Sequence, residues 1–331
     1  MLKSPENLGV IHFIGIGGIG MSGIAEILFQ SGYNVQGSDI TDGNNTNRLK
    51  KLGIKVYIGQ KKSNILNAKL VVVSTAISPK NIEYMTAKKM FLPVVHRSEM
   101  LGELMRLKQS IAIAGTHGKT TTTSLIAKMI EENGMDPTII NGGIISSLDS
   151  NAKLGNGEWM VVEADESDGS FAKLNPTVAI ITNIDLEHLD YHKSEENLEK
   201  AFFQFVSSIP FYGFVCLCID HPRTQKLISK LQNKKVITYG LSANADIRAT
   251  NISYKDNKMS FLLNISNLKE HNNKNYKIEF SMIGLHNIQN ALATIAIGIE
   301  LKIPITKIKK TLKTFTGIER RFQKVGKFRD T

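Results

Sequence analysis

The chain has 331 residues, 42% hydrophobic and 21% charged, with a formal net charge of +11. That length supports about two domains with their own cores, and no apolar stretch approaches the ~20 residues needed to span a bilayer, so a membrane-spanning protein is not expected. Of the 41 basic residues 33 are lysines, scattered without interleaved aromatics, which reads as a solvated surface and not a nucleic-acid track, although such a field also attracts anionic nucleotides.

Met1–Asn7 leads into a strand at once and carries no apolar leader segment, so a cytoplasmic location is expected. Val10–Phe13 is the first candidate strand, and the glycine loop Gly15-Ile16-Gly17-Gly18-Ile19-Gly20 follows it. A helix-like stretch from Met21 to Gln30 comes next, with Ile24, Ile27 and Leu28 on one face. Gly15, Gly17 and Gly20 fit a dinucleotide fingerprint, and Asp39 stands about where a ribose-binding carboxylate is expected. The geometry of such a loop cradles any diphosphate, so NAD and another diphosphate ligand both remain open. A purely structural tight turn is the third reading.

Further short apolar runs at Tyr33–Gln36, Ile54–Ile58, Leu70–Ser74 and Leu92–Val95 alternate with helical stretches. This rhythm predicts a parallel, doubly wound, Rossmann-like sheet, closed by a helix from Ser98 to Arg106. A boundary falls near Gln109, giving expected domains of 1–108 and 109–331.

The second unit opens on the strongest motif in the chain. The strand Ile111–Ala114 runs into Gly115-Thr116-His117-Gly118-Lys119-Thr120, and Thr121–Ile130 continues as a helix with one apolar face and Gly134 as its stop. Glycines that deliver a lysine and a threonine to a helix N-terminus place N–H groups around a polyphosphate, with Lys119 against the β/γ-phosphates and Thr120 on Mg2+. Only two residues separate Gly115 from the Gly118-Lys119 pair, so the loop is shorter than the general P-loop.

Strands are predicted at Thr138–Ile140, Met160–Val162, Val178–Ile181, Phe214–Ile219 and Val236–Tyr239. Two of them end in acids. Met160–Val162 emerges into Glu163-Ala164-Asp165-Glu166-Ser167-Asp168, where a P-loop protein places a Mg2+ ligand, and Glu163 is the preferred one. Val178–Ile181 leads to Thr182-Asn183-Ile184-Asp185-Leu186-Glu187-His188, which makes His188 a candidate for a second Mg2+ or for polarising a substrate. His192, His221 and His271 lack such context and are read as structural. Cys216 and Cys218 are spaced like same-face neighbours on a strand and offer neither a zinc spacing nor a disulfide framework.

After Asp246 the segments Asp246–Ser253, Lys258–Leu263 and Tyr276–Phe280 predict an antiparallel edge, and helices follow at His286–Leu301 and Ile305–Thr314, the second with Pro304 at its start. Asn287 and Asn290 have one face's spacing and could pair with a purine edge or cap the helix. Arg320 and Arg321 are candidates for phosphate contact.

Taken together these motifs resemble the Mur ligases of peptidoglycan synthesis. The resemblance rests on His12–Gly23, Ala114–Thr121, Glu163–Asp168, Thr182–Ile184 with Glu187-His188, the His286–Asn290 helix start, and Gly317–Phe322, all in family order across essentially the whole chain. It is nearest to the members that join L-alanine to UDP-N-acetylmuramate. The resemblance implies that the first loop holds a UDP-linked substrate and not NAD, through Gly15, Gly17, Gly18, Gly20, Met21, Ser22, Asp39 and Arg97.

It further implies that ATP phosphorylates the lactyl carboxylate and that the alanine amine displaces the phosphate. Lys119, His117, Glu163 and His188 would act in catalysis, with Mg2+ on Thr120, Glu163 and His188. ATP would lie on Ala114–Thr121, with Asn287, Asn290 and Arg320. Family members carry a third, C-terminal Rossmann-like domain that closes over ATP. Here the sequence stops at Thr331, so that domain is expected to be absent and turnover impaired. The alternatives are a noncatalytic nucleotide-binding protein, a ligase that recycles peptides onto the same muramic acid, and an NAD-dependent dehydrogenase, on which view Lys119 is hard to explain. No protein partner is indicated.

Overall fold

A computed structural model describes residues 5–145, 150–255, 258–268, 274–315 and 317. The first sheet holds β1 (Val10–Ile14), β2 (Val35–Asp39), β3 (Lys55–Ile58), β4 (Ala68–Val73) and β5 (Val94–His96), all parallel, in the order β3-β2-β1-β4-β5. The chain runs outward from β1 to β3 and then crosses back to β4. This reversal opens a crevice at the carboxyl end of β1, where the first glycine loop sits. Ile11, Phe13 and Ile14 are wholly buried there and fix the strand.

The second sheet holds ten strands: β6 (Gln109–Ala114), β7 (Thr138–Ile145), β8 (Ser150–Lys153), β9 (Trp159–Glu163), β10 (Val178–Ile181), β11 (Phe214–Cys218), β12 (Lys235–Gly240), β13 (Ile247–Lys255), β14 (Lys258–Ile265) and β15 (Lys274–Phe280). Their order is β15-β14-β13-β12-β11-β10-β6-β9-β7-β8. The run from β13 through β12, β11, β10, β6 and β9 to β7 is parallel, and β14, β15 and β8 pair antiparallel, which gives the expected mixed α/β architecture.

Alternation along the central strands explains why they read as continuous apolar runs. Ile111 and Ile113 of β6 face one core with Leu125, Met129 and Ile288, whereas Ala112 and Ala114 face the other with Phe171 and Phe202. Both faces are covered, as parallel sheets require. The second of these cores continues through Met100 and Leu104 into Ile24 and Leu28 of the first unit. One apolar body therefore spans both sheets. Cys216 and Cys218 lie on the same face, free and buried. Burial pushes the Cys218 thiol up to about 12 and the Cys216 thiol well above its ordinary value, so both stay neutral and unreactive. Among the described residues no helix is long and apolar enough to cross a membrane.

The sequence missed β8, whose Ser-Asn-Ala-Lys lacks the β-branched and aromatic residues that mark strands. Tertiary contacts hold it instead. Asn151 donates to Ile19 O at 2.6 Å, and Arg48 donates to Ser150 Oγ at 2.5 Å and to Asn151 Oδ1 at 2.8 Å. Arg48 is also ion-paired to the buried Glu26. The β7–β8 hairpin thus binds to the helix Ile19–Gln30 that the first glycine loop begins.

Candidate active site

Both glycine loops open toward one cleft of about 710 Å3. Gly18, Gly20 and Met21 line it from the first loop, and Thr116 to Thr121 from the second, with Arg97, Glu163, Asp165, Asn287 and Asn290 between them. A second cavity of about 680 Å3 lies over Gly15, Gly17, Asp39 and Thr46. Gly18, Ile19, Met21, Ser74 and Ala76 belong to both. The two spaces are therefore neighbours that share a wall.

In the second loop Gly115 (φ 132°) and Gly118 (φ 82°) adopt conformations that side chains disfavour. Gly118 caps the helix Lys119–Glu132, whose first-turn amides have no partner within the helix and form an anion site. The end of β10 braces this loop. Asn183 Oδ1 accepts from His117 N at 2.8 Å while its Nδ2 donates to His117 O at 3.1 Å, and Thr182 Oγ1 donates to His117 O at 2.6 Å. A methyl group on Gly115 would overlap the Thr182 hydroxyl and stand 2.9 Å from Asn183 O. Gly115→Ala is thus expected to cost about 1–3 kcal/mol of stability through strain and to weaken ATP binding by at least about tenfold. Calorimetry showing native affinity would refute the described loop geometry.

Lys119 spends its three N–H groups on Gly115 O (2.7 Å), Thr116 O (3.2 Å) and Glu166 Oε1 (3.0 Å), and its closest approach to the Glu166 carboxylate is 2.7 Å, at Oε2. Glu166 is only 2% exposed. Burial pushes its carboxyl up against the opposing pull of Lys119. Burial also works against the charge on neighbouring Asp165, but the hydrogen bonds from Ser167 together with Arg97 outweigh it and hold that carboxyl low. Arg97 Nη2 reaches Asp165 at 2.7 Å and Asp168 at 3.5 Å. The guanidinium is fixed where the two loops meet.

Glu163 lines the cleft and accepts from Gly142 N at 2.8 Å. Thr120 lines the same cleft from the helix start. A hydroxyl and a carboxylate suit Mg2+, which takes few protein oxygens and fills its shell with phosphate and water. Accordingly, no group of three His, Cys, Asp or Glu side chains among the described residues is arranged to hold a metal by itself. His188 does not line the cleft, and its Nε2 stands 3.8 Å from Glu166. His117 is 62% exposed, 3.4 Å from Glu187 and 3.6 Å from Asp185.

Several expected roles meet different surroundings. Ser22 is fully buried, donating to Ile19 O at 3.1 Å, and lines neither cavity; Ala114 is likewise buried and off both. The Asp39 carboxylate accepts from Gly17 N at 2.8 Å, so it braces the first loop. Asn287 donates to Ile283 O at 2.8 Å and accepts from Asn290, whose Oδ1 takes the Thr122 hydroxyl at 3.1 Å. Asn290 thus ties the helix Leu285–Glu300 to the loop helix, and Asn287 ties it to the segment before it, while both residues line the cleft. Arg320 and Arg321, like His271, lie outside the described residues. Glu166, by contrast, escaped the sequence reading as a site residue, and its only signal was membership of the acidic cluster.

Comparison with known proteins adds an independent line. The Mur ligase middle domain matches residues 113–298, and the Mur ligase family, catalytic domain matches residues 10–109. The chain is 52% identical over 331 residues to a UDP-N-acetylmuramate–L-alanine ligase of Parvibaculum lavamentivorans, covering 100% of this chain and 67% of that one. Identity to the protein of that name from Acidiphilium cryptum is 53% over 327 residues, 98% of this chain and 68% of that one. Among solved structures, the UDP-N-acetylmuramate-alanine ligase of Thermotoga maritima superposes with a TM-score of 0.85 at 29% identity, over 98% of this chain and 72% of that one.

Proposed function

The chain belongs to the Mur ligase family, ATP-dependent ligases of peptidoglycan precursor synthesis, and on that premise we propose that it joins L-alanine to the lactyl carboxylate of UDP-N-acetylmuramate. The observation that carries this reading is the adjacency of the two cavities, one under each glycine loop, across a wall that they share. A UDP moiety over Gly15, Gly17, Gly18 and the Asp39-braced turn would extend its sugar past Gly20, Met21 and Arg97 toward the second loop. Residues 1–108 would thus hold the UDP end and residues 109–331 the ATP, in the cytoplasm. The similarity to alanine-joining relatives favours this reading over a peptide-recycling ligase.

On this reading Lys119 and the helix amides offset charge on the phosphoryl group as it moves to the carboxylate, forming an acyl phosphate for the alanine amine to attack. Mg2+ held by Thr120 and Glu163 would neutralise the phosphate oxygens in the same step. His188, 3.8 Å from Glu166, would serve as the further Mg2+ ligand, and exposed His117 at the rim of the loop would meet the terminal phosphate. Arg97 orients the acidic sugar end while its own charge is balanced by Asp165 and Asp168.

Calorimetry is expected to show binding of UDP-N-acetylmuramate and of Mg-ATP but not of NADH. Phosphate release from Mg-ATP should require UDP-N-acetylmuramate and rise with L-alanine. Binding of NADH in place of the UDP sugar would overturn the assignment.

A further inference from the structure

The Lys119–Glu166 pair raises a question that the ligase reading alone does not answer. A lysine that serves a polyphosphate must have N–H groups to give, and all three of its donors are already taken, by Gly115 O, Thr116 O and Glu166. The two carbonyls belong to the loop itself. Glu166 does not. It is carried on the segment after β9 and is anchored there through its backbone carbonyl, which accepts from His192 Nε2 at 2.9 Å and from Gly169 N at 3.1 Å. At 2% exposure its carboxylate has almost no water to turn to, so its attraction for the ammonium is poorly screened.

We infer that Glu166 is a positioning residue that keeps the Lys119 ammonium engaged at the wall of the cleft until a nucleotide polyphosphate displaces it. The inference rests on the reading of this loop as the ATP site. It goes further in making ATP entry an exchange, in which the ammonium trades the Glu166 carboxylate for phosphate oxygens. Part of the binding energy of ATP is spent on that exchange, and the ammonium becomes available only when a ligand with β- and γ-phosphates is present. The same acidic segment carries Asp165 and Asp168 on Arg97.

Glu166→Gln keeps the shape and removes the charge. Calorimetry with Mg-ATP, without the other substrates, is expected to show Kd falling by about tenfold. In parallel, acetylation of the unliganded chain by acetic anhydride, read by mass spectrometry, should proceed faster at Lys119 in Glu166→Gln than in the unaltered chain. ATP should slow it in both.

Unchanged or weaker ATP affinity overturns the inference, as does tighter binding with unaltered labelling at Lys119. If Glu166→Gln fails to fold, Glu166→Asp, one methylene short of the lysine, takes its place and is expected to shift both readouts in the same directions. The two levels of the reading fail separately. An unaltered chain that binds no Mg-ATP removes the nucleotide site and the inference with it, whereas ATP binding that ignores Glu166 removes only the latter.

Discussion

Lys119→Ala is expected to lower phosphate release by about 10²–10³-fold, the cost of removing one charge that bound ATP recruits to a developing transition state. The size of the effect follows from placement. The ammonium stands at the start of the helix Lys119–Glu132, beside Thr120 and within the cleft that also holds Glu163. Among the described residues that line this cleft, Lys119 and Arg97 are the lysine and arginine, and Arg97, paired to Asp165 and Asp168, is assigned to the acidic sugar end and not to the phosphates.

The substitution has a second consequence that must be separated from the first. It strands Glu166, and an uncompensated buried charge costs several kcal/mol unless the group takes up a proton. A fall in activity could then reflect lost stability. The double variant Lys119→Ala, Glu166→Gln removes both members of the pair, and it should recover most of the melting temperature while activity stays low. Activity within a factor of a few of the unaltered chain in Lys119→Ala would exclude Lys119 from the chemistry.

Which parts of this site could be read from sequence follows from what kind of signal each part leaves. The two glycine loops are local: strand, glycines and helix are contiguous, so the order of residues almost fixes the geometry. The parallel strands were legible because both of their faces are buried, as Ile111-Ala112-Ile113-Ala114 shows. β8 was not, because Ser150 and Asn151 are held by Arg48 and Ile19, more than a hundred residues away.

The acidic cluster shows the limit most clearly. Glu163 and Glu166 are three residues apart and chemically identical in the sequence. One faces the cleft beside Gly142, and the other is buried under Lys119. Only the turn that follows β9 decides between them, and it leaves no periodic trace. The amides of Asn287 and Asn290 are a similar case, since their spacing predicts a shared face but not that Thr122 and Ile283 would occupy it.

The largest effect on stability is expected far from the phosphates, at Glu83 in the first unit. Its carboxylate is wholly buried and accepts from Asn64 Nδ2 at 2.6 Å, from Lys61 N at 3.1 Å and from the Ser38 hydroxyl, and it stands 3.2 Å from His12 Nε2. Gln36 closes the network by bonding His12 Nδ1 and Asn64 O. The cluster ties β1 and β2 to the helix Ile82–Lys89, and hence sets the carboxyl ends from which the first glycine loop springs.

Glu83→Ala leaves these donors facing a cavity and is expected to cost about 3–5 kcal/mol, a fall in melting temperature on the order of 10 °C. Burial alone would push Glu83 up, but the hydrogen bonds from His12, Ser38 and Asn64 outweigh it and hold the carboxyl below its ordinary value. A carboxyl depressed in the folded state stabilises fully above the unfolded value of about 4.3, and that contribution is lost as pH falls through the lower folded value. The stability gap between the unaltered chain and Glu83→Ala, measured by urea unfolding, should therefore be constant from neutrality down to about pH 5 and narrow below it. A gap that widens on acidification would mean that Glu83 is held neutral in the fold, and the network would then have to be redrawn around a carboxylic acid donating a proton to His12 or Ser38.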